Sequence, residues 1–243
     1  MTRLCAVVTG HSRGLGQGLV RALLARGAEV LGLARGGGEA LPGLRPVTLD
    51  LADPAAVERW IGGGELGRFL AGADRAILVN NAGTVAPIAP AGRQGAAEIA
   101  RAVALNVAAP LMLTDAFLAA TAGLTDRRIL HVSSGAGRKA YPGWSVYCAT
   151  KAALDMHART AAADGLRGLS IESLAPGVID TGMQAEIRAT PADRFVLRDQ
   201  FEAMKRDGAL ADADTRGTAI VGHLLGPGFG ADPVTDVRSL GLA

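Results

Sequence analysis

Residues 4–16 read LCAVVTGHSRGLG, and their order decides the fold: a short apolar run, a glycine-rich turn, then the opening of a helical pattern. The run at 4–8 is apolar throughout rather than alternating, as in a strand covered on both faces. Gly10, Gly14 and Gly16 then turn the chain into a helix predicted over 14–26. Working outward, similar runs recur as EVLGLA (29–34), RPVTL (45–49), RAILVN (75–80), RRILHVS (127–133) and LSIESLA (169–175), with helical patterns at 53–61, 94–121 and 145–164. Apolar strands separated by helices imply an α/β fold, a doubly wound parallel sheet in a single domain over 1–243. In such sheets ligands bind beyond the carboxyl ends of the strands, so the residues after each run carry the search for a site. GGGEALPG (36–43) and GGGELG (62–67) read as flexible surface loops.

Composition narrows the function. Of 243 residues, 49% are hydrophobic and only 4% aromatic, with 33 glycines, which fits a small-residue α/β protein whose turns approach backbone or ligand closely. The net charge of +2 is spread among interspersed Arg, Asp and Glu, so neither nucleic acid nor an anionic membrane is expected as a partner. Cys5 and Cys148 lie far apart in predicted core elements, as reduced thiols do, and no metal site is expected. The N-terminal apolar run is too short for a signal peptide, and no charge-free apolar stretch reaches membrane-spanning length. A cytoplasmic protein is expected.

The turn TGHSRGLG offers the backbone N–H groups of Gly10, Ser12, Arg13, Gly14, Leu15 and Gly16, with the positive end of a helix behind them. An ordinary tight turn has the same glycines, but the N-terminal strand–turn–helix context favours a pyrophosphate and hence a Rossmann dinucleotide site. An acid after the second strand would read the ribose hydroxyls of NAD; Arg35 stands there instead, with Arg13 inside the turn. Either arginine alone reads as a solvated charge, whereas the two together suit a 2′-phosphate and point to NADP(H). Asp50, beside Leu51 at the end of the third run, reads as an acceptor for the adenine amino group or, equally, as the N-cap of the helix at 53–61. The fourth run ends in NNAG, where Asn81, Ala82 and Gly83 leave room for a ring and ribose against the backbone and Asn80 can brace the sheet. The fifth ends in Ser133 and Ser134, which in isolation read as caps.

The segment SVYCATKAAL, residues 145–154, sets Tyr147 and Lys151 four apart, on one face of a helix. An ammonium near a phenol favours the phenolate, which lowers the phenol pKa from about 10 towards working pH and makes the tyrosine a general acid and base. A lone YxxxK occurs by chance as an amphipathic pair. Here it follows a dinucleotide turn, NNAG and SS in order.

With these motifs in place the chain resembles the short-chain dehydrogenases/reductases, on TGHSRGLG, NNAG, Asn106 in LNV, Ser134, YCATK and PGVIDT. Within them GWSVYCATKAALDM (143–156) and PGVIDTGMQ (176–184) are most similar to sepiapterin reductases and bacterial benzil reductases, although Gly182 stands where that group usually has an acid. The resemblance implies a catalytic set of Asn106, Ser134, Tyr147 and Lys151 and an NADPH-dependent reduction of a ketone, diketone or pterin side-chain carbonyl. In it Tyr147 supplies the proton, Ser134 holds the carbonyl oxygen, Lys151 binds the nicotinamide ribose and Asn106 holds a relay water. It further implies that Pro176, Gly177, Ile179 and Thr181 run beside the nicotinamide, that Met183 touches substrate, and that Asp236 in DPVTDVRSL anchors a pterin; the last reads equally as a solvated acid. Pairing of the helices at 94–121 and 145–164 into a homodimer or homotetramer is also implied. The segment 182–208 reads as a substrate lid or a surface helical hairpin, and Trp144 and Tyr141 as a pocket wall or core. An oxidising alcohol dehydrogenase and a non-catalytic NADP sensor are the alternatives; Arg13 and Arg35 weigh against the first and the intact catalytic set against the second.

Overall fold

The computed structural model describes residues 2–242. Among them, seven strands form one parallel sheet: β1 (Leu4–Thr9), β2 (Glu29–Ala34), β3 (Leu44–Thr48), β4 (Arg75–Asn80), β5 (Arg127–Val132), β6 (Leu169–Ala175) and β7 (Val234–Asp236), in the order β3-β2-β1-β4-β5-β6-β7. Both neighbours of β1 are apolar, Val7 standing opposite Leu31 on one side and Leu78 on the other. The order reverses between β1 and β4, which opens a crevice at the carboxyl ends of the strands. Edge strand β3 is largely exposed and tolerates Pro46, which a central strand would not.

Two layers of helices bury the faces. On one side α1 (Gly14–Leu24) contributes Leu19, Val20 and Leu23, and α9 (Ala213–Leu225) contributes Ile220, Val221 and Leu224. These two helices touch backbone to backbone: a Cβ on Gly217 would lie 2.4 Å from the carbonyl carbon of Gly18. The opposite face is covered by α2 (Pro54–Gly62), α3 (Glu65–Leu70), α5 (Ala109–Ala120) and α6 (Ser145–Ala163), through Val57, Phe69, Leu113, Phe117 and Ala158. Each fully buried Leu, Ile or Phe in these layers contributes about 1.5–3 kcal/mol relative to exposure.

The helix expected over 94–121 is α4 (Ala96–Val103), one π turn (Ala104–Ala108) and α5, continuous along the chain. Ala96–Ala120 is long and apolar enough by length and composition to cross a membrane, yet here it buries Leu113 and Phe117 against the sheet. The remaining helices, α7 (Gly182–Ala189) and α8 (Arg198–Arg206), lie in the segment expected as a lid or hairpin. The GGGELG loop is corrected: its last three residues begin α3, which the apolar trio Leu66, Phe69 and Leu70 seats on the sheet. GGGEALPG carries no regular element, as expected.

Candidate active site

At the end of β1, Thr9 joins the two loops that floor the crevice. Its Oγ1 accepts from the N–H groups of Asn81 and Ala82, each at 2.9 Å, while the Asn81 side-chain amide donates to the carbonyls of Thr9 (2.9 Å) and Gly10 (3.3 Å). The glycine turn and NNAG are thereby one rigid unit. A Cβ on Gly16 would sit 2.1 Å from the Gly10 oxygen, so only glycine lets α1 start this close to β1. The first turn of α1 has no side-chain cap and no acid, which leaves its N–H groups and positive end facing the crevice. Across from it, Thr181 approaches within 3.1 Å of a Cβ placed on Gly14. The crevice has a volume of about 1260 Å³, and every expected cofactor and substrate residue lines it; the one member of the expected site that does not is Asn106.

At the adenosine end, Arg13 and Arg35 are exposed on the rim, and neither has an ion-pair partner among the described residues. Two free guanidinium groups beside a bare glycine turn fit a dinucleotide with an additional phosphate. Asp50 lines the crevice, and its reading as the cap of α2 is corrected. The N-cap of α2 is Asp53, which accepts from Ala55 and Ala56, and Asp50 instead accepts from Ala52 N–H (3.0 Å) and pairs with Arg101 (3.1 Å). Burial pushes the Asp50 pKa up, but the Ala52 N–H, Arg101 and Arg35 together bring it below the ordinary carboxylate value. Both of its oxygens are engaged, so an adenine amino group would share one of them.

The reacting end is built where β5 meets α6. Tyr147 and Lys151 are both buried on the same helix face, with the ammonium 5.7 Å from the centre of the phenol ring. Lys151 Nζ donates to the carbonyl of Val132 at 2.7 Å, and the Ser134 hydroxyl, which also accepts from Ala136 N–H, lies beside the phenol. Burial raises the Tyr147 pKa above its ordinary value, with the Ser134 hydrogen bond pulling the other way, so the expected depression is corrected: in the protein alone the phenol is shifted upward. Burial likewise pushes Lys151 down to about 8, opposed by Asp155. Asn106 sits in the π turn behind the crevice. Its amide accepts from Thr84 N–H (2.9 Å) and donates to the Thr84 carbonyl (2.8 Å) and to Thr150 Oγ1 (3.1 Å), so it braces the loop after NNAG against α6. Asn80 is a brace, donating to Thr114 and facing His131.

Over the substrate end a separate apolar cluster holds α7 and α8 to α6. Trp144 stacks on Phe195 at 4.9 Å, tilts against Phe201 at 5.3 Å and meets Tyr147 edge-on at 5.4 Å. Trp144 is therefore core and wall at once, with Met183 packed beside the same cluster. Asp236 lines this end, but its carboxylate is taken: Arg238 donates from Nε to one oxygen (2.7 Å) and from Nη2 to the other (2.5 Å). That pairing holds Asp236 below the usual carboxylate range.

Two contributors escaped the sequence reading. Thr9 is signalled only by being the last residue of β1, and Asp155 by continuing the four-residue step from Tyr147 and Lys151.

The family model for short chain dehydrogenase matches residues 4–192. A benzil reductase ((S)-benzoin forming) of Bacillus cereus is 33% identical over 231 residues, covering 88% of this chain and 91% of that protein. Sepiapterin reductase of Mus musculus is 34% identical over 243 residues, covering 90% and 92%. Among solved structures, a short-chain dehydrogenase/reductase from Burkholderia vietnamiensis is 46% identical, covers 98% of each chain and superposes with a TM-score of 0.71.

Proposed function

We propose, since this chain belongs to the short-chain dehydrogenase family, that it is an NADPH-dependent carbonyl reductase in which Tyr147 is the proton donor. The family assignment makes the chain an oxidoreductase that binds a nicotinamide cofactor and acts on a small molecule. One observation carries the finer reading: Ser134, Tyr147 and Lys151 converge on a crevice whose far rim bears the unpaired Arg13 and Arg35.

The glycine turn and the start of α1 would hold the pyrophosphate, Arg13 and Arg35 the 2′-phosphate, and Lys151 the nicotinamide ribose. When bound, the nicotinamide supplies the hydride. Ser134 donates a hydrogen bond to the substrate carbonyl oxygen, which holds it against Tyr147 and stabilises negative charge as it grows. Tyr147, kept protonated at neutral pH by its burial, gives its proton to that oxygen. Lys151 carries the positive charge that steadies the phenolate left behind. Because burial sets its pKa near 8, that charge is complete below this value and lost above it, so reduction slows as the pH rises through 8. Asn106 keeps the loop beyond NNAG and the catalytic helix in register.

The wall of Trp144, Met183 and Phe201 favours an apolar, aromatic substrate, and Arg238 already occupies the Asp236 carboxylate expected to fork onto a pterin. A benzil-like diketone is therefore the substrate class supported best, with α7 and α8 acting as the lid over it. Exposed Val103 and Met156, on α4 and α6, support association of subunits through those helices. The test is a panel of carbonyl compounds, benzil and sepiapterin among them, assayed with NADPH and with NADH. Benzil turnover with preference for NADPH is expected; absence of turnover on every carbonyl overturns the reading.

A further inference from the structure

Asp155 is a buried carboxylate that the mechanism above does not use, and no acid on α6 lies nearer to the reacting groups. It stands one helical turn beyond Lys151 and two beyond Tyr147, on the same face of α6. One of its oxygens accepts from Ser133 Oγ at 2.6 Å and from Ser173 Oγ at 2.7 Å; the other accepts from Arg138 Nε at 2.9 Å. Arg138 also donates to the Ser173 carbonyl at 3.3 Å. The turn between Ser134 and Arg138 lies so close on the helix that a Cβ on Gly137 would be 3.0 Å both from the Asp155 carboxylate and from the Lys151 carbonyl carbon.

Three consecutive residues at the end of β5 meet three residues spaced by single turns on α6: Val132 with Lys151, Ser133 with Asp155 and Ser134 with Tyr147. Ser134 is thus held from both sides, by Ser133 before it and by Arg138 after it, and both are bonded to one carboxylate. We propose that Asp155 is a positioning residue of this site: it clamps the end of β5 and the following turn to α6, so that Ser134 stays opposed to Tyr147 with a negative charge one turn from Lys151. The proposal rests on the roles given to Tyr147 and Lys151 above.

The charge has few rivals. On α6 itself the other titratable groups are Tyr147, Cys148, the half-buried His157 and Arg159, which is one turn beyond Asp155 and exposed to solvent. His131 on β5 is kept neutral by burial, its pKa pushed down to about 3. Glu172 on β6 is bound to His223 and Thr235 on the other face of the sheet, and Asp236 on β7 is bound to Arg238. The π turn carries no charge, and Glu98 and Arg101 of α4 lie out at the crevice, Arg101 on Asp50. Arg138 is the remaining charged neighbour, and it opposes Asp155 directly.

The sequence permits a direct readout, because it has only three lysines, and Lys139 and Lys205 are exposed. Lysine side chains labelled with carbon-13 can be titrated by NMR in the cofactor-free protein, with Lys151 assigned by its loss in Lys151→Met. Asp155→Asn is expected to move the Lys151 titration to lower pH by about one unit, since an opposite charge is removed. Arg138→Gln, which leaves the carboxylate uncompensated, is expected to move it to higher pH. The falling limb of kcat/KM for benzil reduction should shift in the same directions, with kcat in Asp155→Asn lower by about tenfold to a hundredfold and NADPH affinity retained. A purely structural carboxylate would lower the melting temperature in both variants and move neither titration, and that result overturns the proposal. If Asp155→Asn does not fold, Arg138→Gln decides alone: an alkaline shift supports the proposal and an unmoved titration ends it. Full activity in Tyr147→Phe would instead remove the catalytic reading while leaving the NMR result to stand or fall separately.

Discussion

Alanine in place of Gly16 sets two effects against each other, and the structure says which wins. In a helix interior the change gains about 1 kcal/mol of propensity. Against it, the new Cβ would lie 2.1 Å from the Gly10 oxygen and 2.6 Å from Asn81 Nδ2, far inside the 3.4–4 Å of ordinary contact. Overpacking of this kind costs about 1–3 kcal/mol. Moving Asn81 also strains its bonds to the Thr9 and Gly10 carbonyls, worth about 1 kcal/mol each. The net expectation is a destabilisation of about 1–3 kcal/mol, which lowers Tm by roughly 2–12 °C in a chain of this size. Gly222→Ala in α9 is the control, since nothing lies within 4 Å of the added carbon and the propensity gain should appear alone. Thermal melting and NADPH titration by fluorescence should show Gly16→Ala destabilised and weakened in binding, with Gly222→Ala equal to or above the parent. A Gly16→Ala protein that melts no lower than the parent and binds NADPH as tightly would refute the role given to the glycine turn.

Arg35→Asp should shift cofactor preference from NADPH towards NADH by about tenfold or more, because a phosphate partner becomes an acceptor for a free ribose hydroxyl; an unchanged affinity ratio would place Arg35 in solvent. Arg238→Ala frees the Asp236 carboxylate, so kcat/KM for sepiapterin should rise by about tenfold while that for benzil holds, and Asp236→Ala should spare benzil. No gain on sepiapterin would show that Asp236 faces no substrate. Sedimentation at micromolar concentration should give a dimer or tetramer, disrupted by Met156→Asp on the exposed face of α6; a monomer in the parent protein would rule out association through that face.

What the sequence discloses follows physical scale. Strands of five or more residues were legible, and six of the seven are where the periodicity places them, with ends shifted by a residue or so. The seventh, Val234–Asp236, has three residues and is paired on one side only, so no pattern of its own marks it. Helix α3 was hidden by the three glycines before it, although Leu66, Phe69 and Leu70 already spelled an apolar face. The residues expected to line the crevice converge there, because the sheet brings all strand ends to one edge and α6 carries Tyr147 and Lys151 to it. Occupancy was not legible. Nothing in the order of residues says that Arg101 reaches Asp50, that Arg238 folds back on Asp236, or that burial raises the phenol pKa. Those outcomes depend on which long side chains meet once the chain is folded.

The measurement closest to the central claim is the turnover of Tyr147→Phe, read together with its NADPH affinity. The phenylalanine ring keeps the edge contact with Trp144 and removes only the hydroxyl beside Ser134. NADPH should bind as it does to the parent, and benzil reduction should fall by about 10²–10⁴-fold, the usual worth of a general acid. Retention of more than half the activity with intact cofactor binding would contradict the assignment of Tyr147 as the proton donor.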